Sequence, residues 1–360
     1  MRAAVMRDWQ LRVDDVPEPV PGPGQVLTKV LACGICGSDL HLLRHGAESR
    51  KLMLEVEADR PPDPMQLRTF DPRFDTVMGH EFCCEVTDLG PECSNLAVGD
   101  IVVSMPVAFD ATGLHPVGFS NVYNGGYAER MVLNEMLAIK VPTGVGAEVA
   151  AMTEPLAVGV HAVAKSRIST AESAIVLGCG PIGLACIAAL KLHGIGPVVA
   201  ADFSTKRRQL AEELGADVVV DPRIKPAVEA WREADGLRTA VIFEAVGVPG
   251  MIDQAMRIAP KDARILIVGA CMQQDHFHPI VGLGRELTLQ FAFGYDPGEF
   301  AAALASIADG KVDLQPWVTG TVDIDDVPQA FHDLSDPDQH AKIIVTPLQR
   351  NRSSGEDPMT

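Results

Sequence analysis

No stretch of this chain stays apolar for the roughly 20 residues that a membrane-crossing helix needs, so no such helix is expected. Positive charge is also scarce: 30 Lys and Arg stand against 48 Asp and Glu, for a net charge of −18. A surface of that sign repels phosphate backbones and anionic lipid, so neither nucleic acid nor a membrane is an expected partner. The opening run Met1-Arg2-Ala3-Ala4-Val5-Met6-Arg7 lacks the apolar core of a secretory leader or anchor. The eight cysteines lack the regular spacing of a disulfide framework. Reduced thiols in the cytoplasm are therefore expected, with one or two serving a metal. Internal repeats and low-complexity tracts are absent as well, and 360 residues suffice for two domains that each bury a core.

What is present changes character along the chain. Up to about residue 140, short apolar runs such as Val26 to Leu31, Phe82 to Val86 and Val98 to Val103 alternate with Gly and Pro turns, among them Pro21-Gly22-Pro23-Gly24. That pattern predicts an all-β, partly closed barrel. Ala147 to Ala164 reads as a helix. From Ala174 the rhythm is strand, helix, strand: Ala174 to Leu177, a helix over Pro181 to Leu192, Pro197 to Ala201, and a helix from Ser204 to Leu214 closed by Gly215. Further apolar runs at 218–220, 240–243, 265–268 and 287–291 extend it to a doubly wound parallel sheet, so the fold class is α/β.

Within that sheet, Gly178-Cys179-Gly180-Pro181-Ile182-Gly183 follows a strand and opens a helix, the context a dinucleotide-binding turn requires. Gly178 makes the turn, Gly180 admits a pyrophosphate, Gly183 lets helix approach strand, and Pro181 and Ile182 start the helix whose N-terminus faces the phosphates. Asp202 follows 24 positions after Gly178, where a carboxylate accepts from the adenosine ribose and repels a 2′-phosphate. NAD is the cofactor this favours. Lys206-Arg207-Arg208 could invite a 2′-phosphate, but are expected to line a solvated helix face.

Three segments carry metal-binding chemistry: Cys33-Gly34-Ile35-Cys36-Gly37-Ser38-Asp39-Leu40-His41, Gly79-His80-Glu81, and Thr153-Glu154-Pro155-Leu156-Ala157-Val158-Gly159-Val160-His161. With these motifs the chain closely resembles the zinc-dependent medium-chain alcohol and polyol dehydrogenases. The resemblance is weakest over residues 44–77, 105–121 and 350–360.

The resemblance implies a GroES-like catalytic domain over residues 1–155, completed by 295–349, a Rossmann domain over 156–294, and a flexible tail at 350–360. It implies one catalytic zinc with Cys36 and His80 as ligands. The third ligand is left open between Glu154, in the Glu-Pro-Leu segment that polyol, butanediol and threonine dehydrogenases share, and Glu81. Consecutive strand residues point to opposite faces, so His80 and Glu81 reach one ion only if the backbone bends near Gly79. Ser38 and His41 are implied as a proton relay and Asp39 as support behind the ligands. Cys33, Cys83, Cys84, Cys179, Cys186 and Cys271 are expected to be packing or surface residues, and His161 a helix residue.

Two departures from the family stand out. Residues 104–124 contain no cysteine, so the second, structural zinc of many relatives is not expected. Cys36 and His80 are 44 positions apart, longer than the resemblance leads one to expect. The extra stretch around Glu48 to Phe74, with Arg60-Pro61-Pro62-Asp63-Pro64, reads as a loop near the active-site mouth, as an interface arm or as a neutral surface insertion. The expected activity is reversible oxidation of a secondary alcohol, diol or polyol to a ketone or aldehyde by a homodimer or homotetramer. The alternatives are a zinc-free quinone or enone reductase, and a nucleotide-binding structural or redox-sensing protein without turnover.

Overall fold

The computed structural model of the chain describes residues 1–58 and 67–347. Ten of the strands make the first β unit around one long strand, Gln25–Gly34, which is buried over most of its length because it has neighbours on both edges. Glu81–Leu89 pairs with it antiparallel on one side, Arg130–Asn134 and Ile343–Val345 on the other. Ile101–Ser104 and Ala138–Lys140 extend that sheet, and Gly320–Val322 adds parallel to Ile343–Val345. The N-terminal hairpin Arg2–Arg7 and Gln10–Asp15 and the strand Thr76–Val77 form a smaller sheet beside it. Met78, Phe82, Val86, Tyr127 and Met131 fill the space between.

Residues 173–291 form a six-stranded, all-parallel sheet. Its order is Val218–Val220, Val198–Ala201, Ser173–Leu177, Ala240–Glu244, Arg264–Ile267, Thr288–Phe291. Strand order reverses between Ser173–Leu177 and its neighbour Ala240–Glu244, which opens a crevice at the carboxyl ends where a ligand fits. The helices Thr153–Ser166 and Pro181–Leu192 cover one face and pack closely on each other. A Cβ at Gly159 would come within 2.4 Å of the Ala185 backbone, so a side chain there would force the two helices apart.

The helix expected over Ala147 to Ala164 is two helices, Ala147–Ala151 and Thr153–Ser166, with Met152 as the joint. The break lets the second helix start afresh with Glu154 in its first turn. The stretch read as a loop is helical in its first part: Gly37–Ala58 is one continuous helix of 22 residues. Its burial is greatest in the first half. There Gly46 makes room for Trp9, whose ring lies 2.2 Å from where a Cβ would stand. Leu52, Leu54 and Val56 are exposed, which is why hydrophobic periodicity gave no signal. Arg60-Pro61-Pro62-Asp63-Pro64 and the tail 350–360 lie outside the described residues. Among the described residues no helix is long and apolar enough to cross a membrane.

Candidate metal and cofactor site

The strand Gln25–Gly34 ends where Cys36 begins the approach to the helix Gly37–Ala58. Gly34 leaves room there for the Glu81 carboxylate, which would stand 2.0 Å from a Cβ and would have to move. Gly79 sits at φ +101°, the bend that turns His80 and Glu81 toward the same space. As a result one ligand atom from each of Cys36, His80 and Glu81 lies within 4.8 Å of the others, all three side chains buried. Among the described residues no other trio of His, Cys, Asp or Glu meets as closely.

Asp39 stands behind this trio. Its Oδ2 accepts from the Cys36 N–H at 3.2 Å and from the Tyr127 hydroxyl at 2.6 Å, while its Oδ1 lies 3.4 Å from His80 Nδ1. The carboxylate thus faces the Nδ1 edge of the imidazole, the placement of an outer-shell carboxylate behind a metal-binding histidine. Phe119 covers the ring, with centroids 5.2 Å apart. Glu154 is also buried nearby, and its Oε1 accepts from Tyr295 at 3.0 Å. Glu81 gives both oxygens to Lys342, at 2.8 and 2.7 Å. Hence the two carboxylates left open by the sequence differ: Glu81 is in the close trio but tied to a lysine, whereas Glu154 is outside the trio and tied only by a phenol.

These residues fit a divalent cation. Four acidic groups, Cys36, Asp39, Glu81 and Glu154, are buried around a single buried lysine. Burial pushes the Glu154 pKa up to about 7, the Glu81 charge adding to it while His80, Tyr295 and Lys342 pull the other way. Burial works against charge on His80, yet Asp39 and Cys36 outweigh it and hold the ring well above its ordinary 6.5. Asp39 Oδ1 and His80 Nδ1 have no hydrogen-bond partner within normal reach. Such a cavity calls for positive charge, and thiol, imidazole and carboxylate are the donors tetrahedral zinc takes.

Ser38 and His41 lie three positions apart on the first turns of the helix Gly37–Ala58, both half-buried. Burial lowers the His41 pKa, and the His45 and Arg44 charges lower it further, which favours the neutral ring.

In the parallel sheet, Gly178 has φ +88°, and a Cβ at Gly183 would fall 1.8 Å from the Gly178 carbonyl oxygen. Above Gly180 the space is open: a Cβ there would meet only the Arg207 guanidinium, at 3.7 Å. Pro181 and Ile182 begin the helix Pro181–Leu192 at this turn. Asp202 closes it, accepting from the Cys179 N–H and the Ser204 N–H, each at 2.8 Å. The three basic residues part ways. Arg208 donates to the Asp202 and Phe203 carbonyls, Lys206 to the Gln339 carbonyl, and Arg207 alone leans over the glycine turn with a partnerless buried Nε. They do not line one solvated face, because the helix start curls two of them back onto the chain.

Lys342, Tyr295 and Tyr127 escaped the sequence reading. Only Lys342 left a trace, a lone cation directly before the apolar run Ile343–Val345. His161, read as an ordinary helix residue, pairs with Glu299 at 2.8 Å and so ties the helix Thr153–Ser166 to Pro297–Ala308.

Residues 104–124, where no structural metal site was expected, form the hairpin Val107–Asp110 and Gly113–Pro116. A polar network holds it: Gln25 donates to the Tyr123 hydroxyl, Tyr123 donates to Asp110, and the buried His115 lies 2.9 Å from Thr112 Oγ1.

Residues 22–143 match the alcohol dehydrogenase GroES-like domain, and residues 181–309 match the zinc-binding dehydrogenase family. The (R,R)-butanediol dehydrogenase of Bacillus subtilis (strain 168) is 34% identical over 349 residues, 94% of this chain and 96% of that protein. The D-xylulose reductase A of Aspergillus oryzae (strain ATCC 42149 / RIB 40) is 27% identical, with 90% of each chain covered. Among solved structures, 2R,3R-butanediol dehydrogenase from Bacillus subtilis superposes with a TM-score of 0.79 at 32% identity, covering 96% of this chain and 99% of that one. A Sinorhizobium meliloti 1021 protein solved with NADP bound does so at 0.80 and 27%, with the same coverage.

Proposed function

This chain belongs to the zinc-dependent medium-chain dehydrogenases, which join a GroES-like domain to a Rossmann domain, and from that premise we propose that it oxidises secondary alcohols, vicinal diols or polyols with NAD at one zinc held by Cys36, His80 and a buried carboxylate. The chain is an enzyme, an alcohol or polyol oxidoreductase that uses zinc and a nicotinamide cofactor. The observation that carries the finer reading is the convergence of Cys36, His80 and Glu81 within 4.8 Å.

Bound at these sites, zinc would supply Lewis acidity toward the alcohol oxygen and the nicotinamide cofactor would supply the hydride acceptor. The remaining work belongs to the chain. Cys36 and His80 hold the ion, with Glu81 or Glu154 as the third donor. Asp39, itself fixed by Tyr127 and the Cys36 N–H, keeps the His80 ring oriented. Ser38 receives the alcohol proton and His41 carries it to solvent, a role that the lowered pKa of its ring suits. Gly178, Gly180, Pro181, Ile182 and Gly183 cradle the pyrophosphate, and Asp202 accepts from the adenosine ribose.

NAD over NADP rests on the Asp202 carboxylate, although the Sinorhizobium meliloti relative was solved with NADP. The same reading includes a homodimer or homotetramer and a cytoplasmic setting, the latter supported by eight unpaired cysteines. The test is a panel of secondary alcohols, vicinal diols, polyols and L-threonine with NAD, following formation of reduced nicotinamide, together with metal analysis. Turnover of none of them, or enone reduction by a metal-free preparation, would overturn the proposal.

A further inference from the structure

The face of the helix Gly37–Ala58 that carries Ser38 continues with His41, His45 and Glu48. Their spacing of i, i+4 and i+7 puts all three on one side of two consecutive turns. The His41 and His45 imidazoles lie nearly parallel, with ring centroids 6.4 Å apart and planes at 27°. Both are half-buried and Glu48 is exposed. Glu48 forms no ion pair among the described residues, and the intervening Arg44 is drawn off to the Ser335 hydroxyl. Two histidines one turn apart on a helix are a chelating pair, and imidazole nitrogen suits zinc, nickel and copper. Ligation needs the neutral ring, the form burial favours for His41.

We propose that His41, His45 and Glu48 form a second metal site, separate from the Cys36 and His80 cluster, that takes a divalent transition-metal ion. To bind, the two imidazoles one turn apart turn a nitrogen each toward a shared ion, with Glu48 on the next turn of the same face as the third donor. An ion there occupies the His41 nitrogen, so the site acts as an inhibitory one. That consequence rests on the proton role proposed above for His41, whereas the binding itself does not.

The probe is Ni²⁺ added to untagged, zinc-loaded enzyme, with equilibrium dialysis for stoichiometry, zinc analysis to show the first ion stays, and initial rates of alcohol oxidation. One nickel per chain is expected beyond the zinc. His45→Ala is expected to weaken it by about 10- to 100-fold or more, the loss typical of outer-shell partners and a floor for a direct ligand, while nickel-free turnover is unchanged. Glu48→Gln should weaken it less. Equal nickel affinity in wild type and His45→Ala, or no uptake by wild type at about 1 mM, overturns the site. Nickel that binds through His45 yet leaves turnover unaltered upholds the site and removes His41 from the proton path, so the two readings fail separately.

Discussion

Lys342 Nζ lies 2.8 and 2.7 Å from the two oxygens of Glu81, with both side chains fully buried and 261 residues apart in sequence. The same ammonium donates to the Ile35 carbonyl at 3.1 Å and stands 5.9 Å from the Trp317 ring centroid. Burial alone would lower the Lys342 pKa, but Glu81 and Cys36 outweigh it and the group ends above its ordinary value. The pair ties the last strand to the metal cluster. Lys342→Met, which leaves Glu81 buried and unpaired, is expected to cost about 3–5 kcal/mol in urea unfolding of the metal-free chain. Adding Glu81→Gln should recover most of that. A loss below about 1 kcal/mol would mean that water reaches and screens the pair.

The cofactor prediction follows from Asp202 and Arg207 flanking one turn. Wild type should use NAD far better than NADP. In Asp202→Ala the kcat/KM with NAD should fall roughly 10- to 100-fold, the worth of hydrogen bonds to a charged group, and NADP should gain. Removing Arg207 as well should erase the NADP gain. Equal efficiency with both cofactors in wild type sinks the assignment.

For the relay, His41→Gln should slow alcohol oxidation most below about pH 7, by up to about 100-fold, the lower end of what a positioned acid or base contributes. Added imidazole should restore part of the rate, and NAD affinity should hardly change. In wild type the rate should stay high down to below pH 6.5 before protonation of His41 reduces it, since burial lowers its pKa. A mutant whose pH profile matches wild type leaves His41 a bystander.

Metal analysis of the enzyme, prepared without added transition metal, should find one zinc per chain. Residues 104–124 hold no cysteine, and the Gln25, Tyr123, Asp110 and His115 network stabilises the hairpin where a structural ion would serve. Chelation should abolish activity with the fold retained by circular dichroism. Two zinc ions that stay tightly held in His45→Ala as in wild type, or collapse on chelation, would require ligands not recognised in this chain.

In the metal-free chain the Glu154 pKa, raised from 4.5 to about 7 chiefly by burial, sets a pH dependence. The folded state then binds more protons than the unfolded one between those values. Stability from this group is fully present below pH 4.5 and is lost as pH rises through about 7. Unfolding free energy of the metal-free protein should therefore drop by about 2–3 kcal/mol from pH 5 to pH 8 on this account, and Glu154→Gln should flatten that part of the profile. Identical slopes in the two proteins would show that Glu154 titrates normally.

Local rules made much of this protein readable from its residues. The turn Gly178 to Gly183 is specified by glycine conformation and close approach within six residues, and the helix Pro181–Leu192 has the bounds its proline and apolar run suggest. Cys36 and His80 were legible through the resemblance of their motifs to the family, and Asp202 through its place at the end of the strand that follows the glycine turn. What the tertiary structure decided is non-local. The bend at Gly79 brings Glu81 into the trio, Lys342 arrives from the far end of the chain to occupy it, and Tyr295, 141 residues from Glu154, holds the other carboxylate. A buried ion pair has no period in sequence, and a helix buried mainly toward its start, like Gly37–Ala58, carries no sustained apolar stripe. Burial and long-range pairing depend on which segments meet, and only the folded chain determines that.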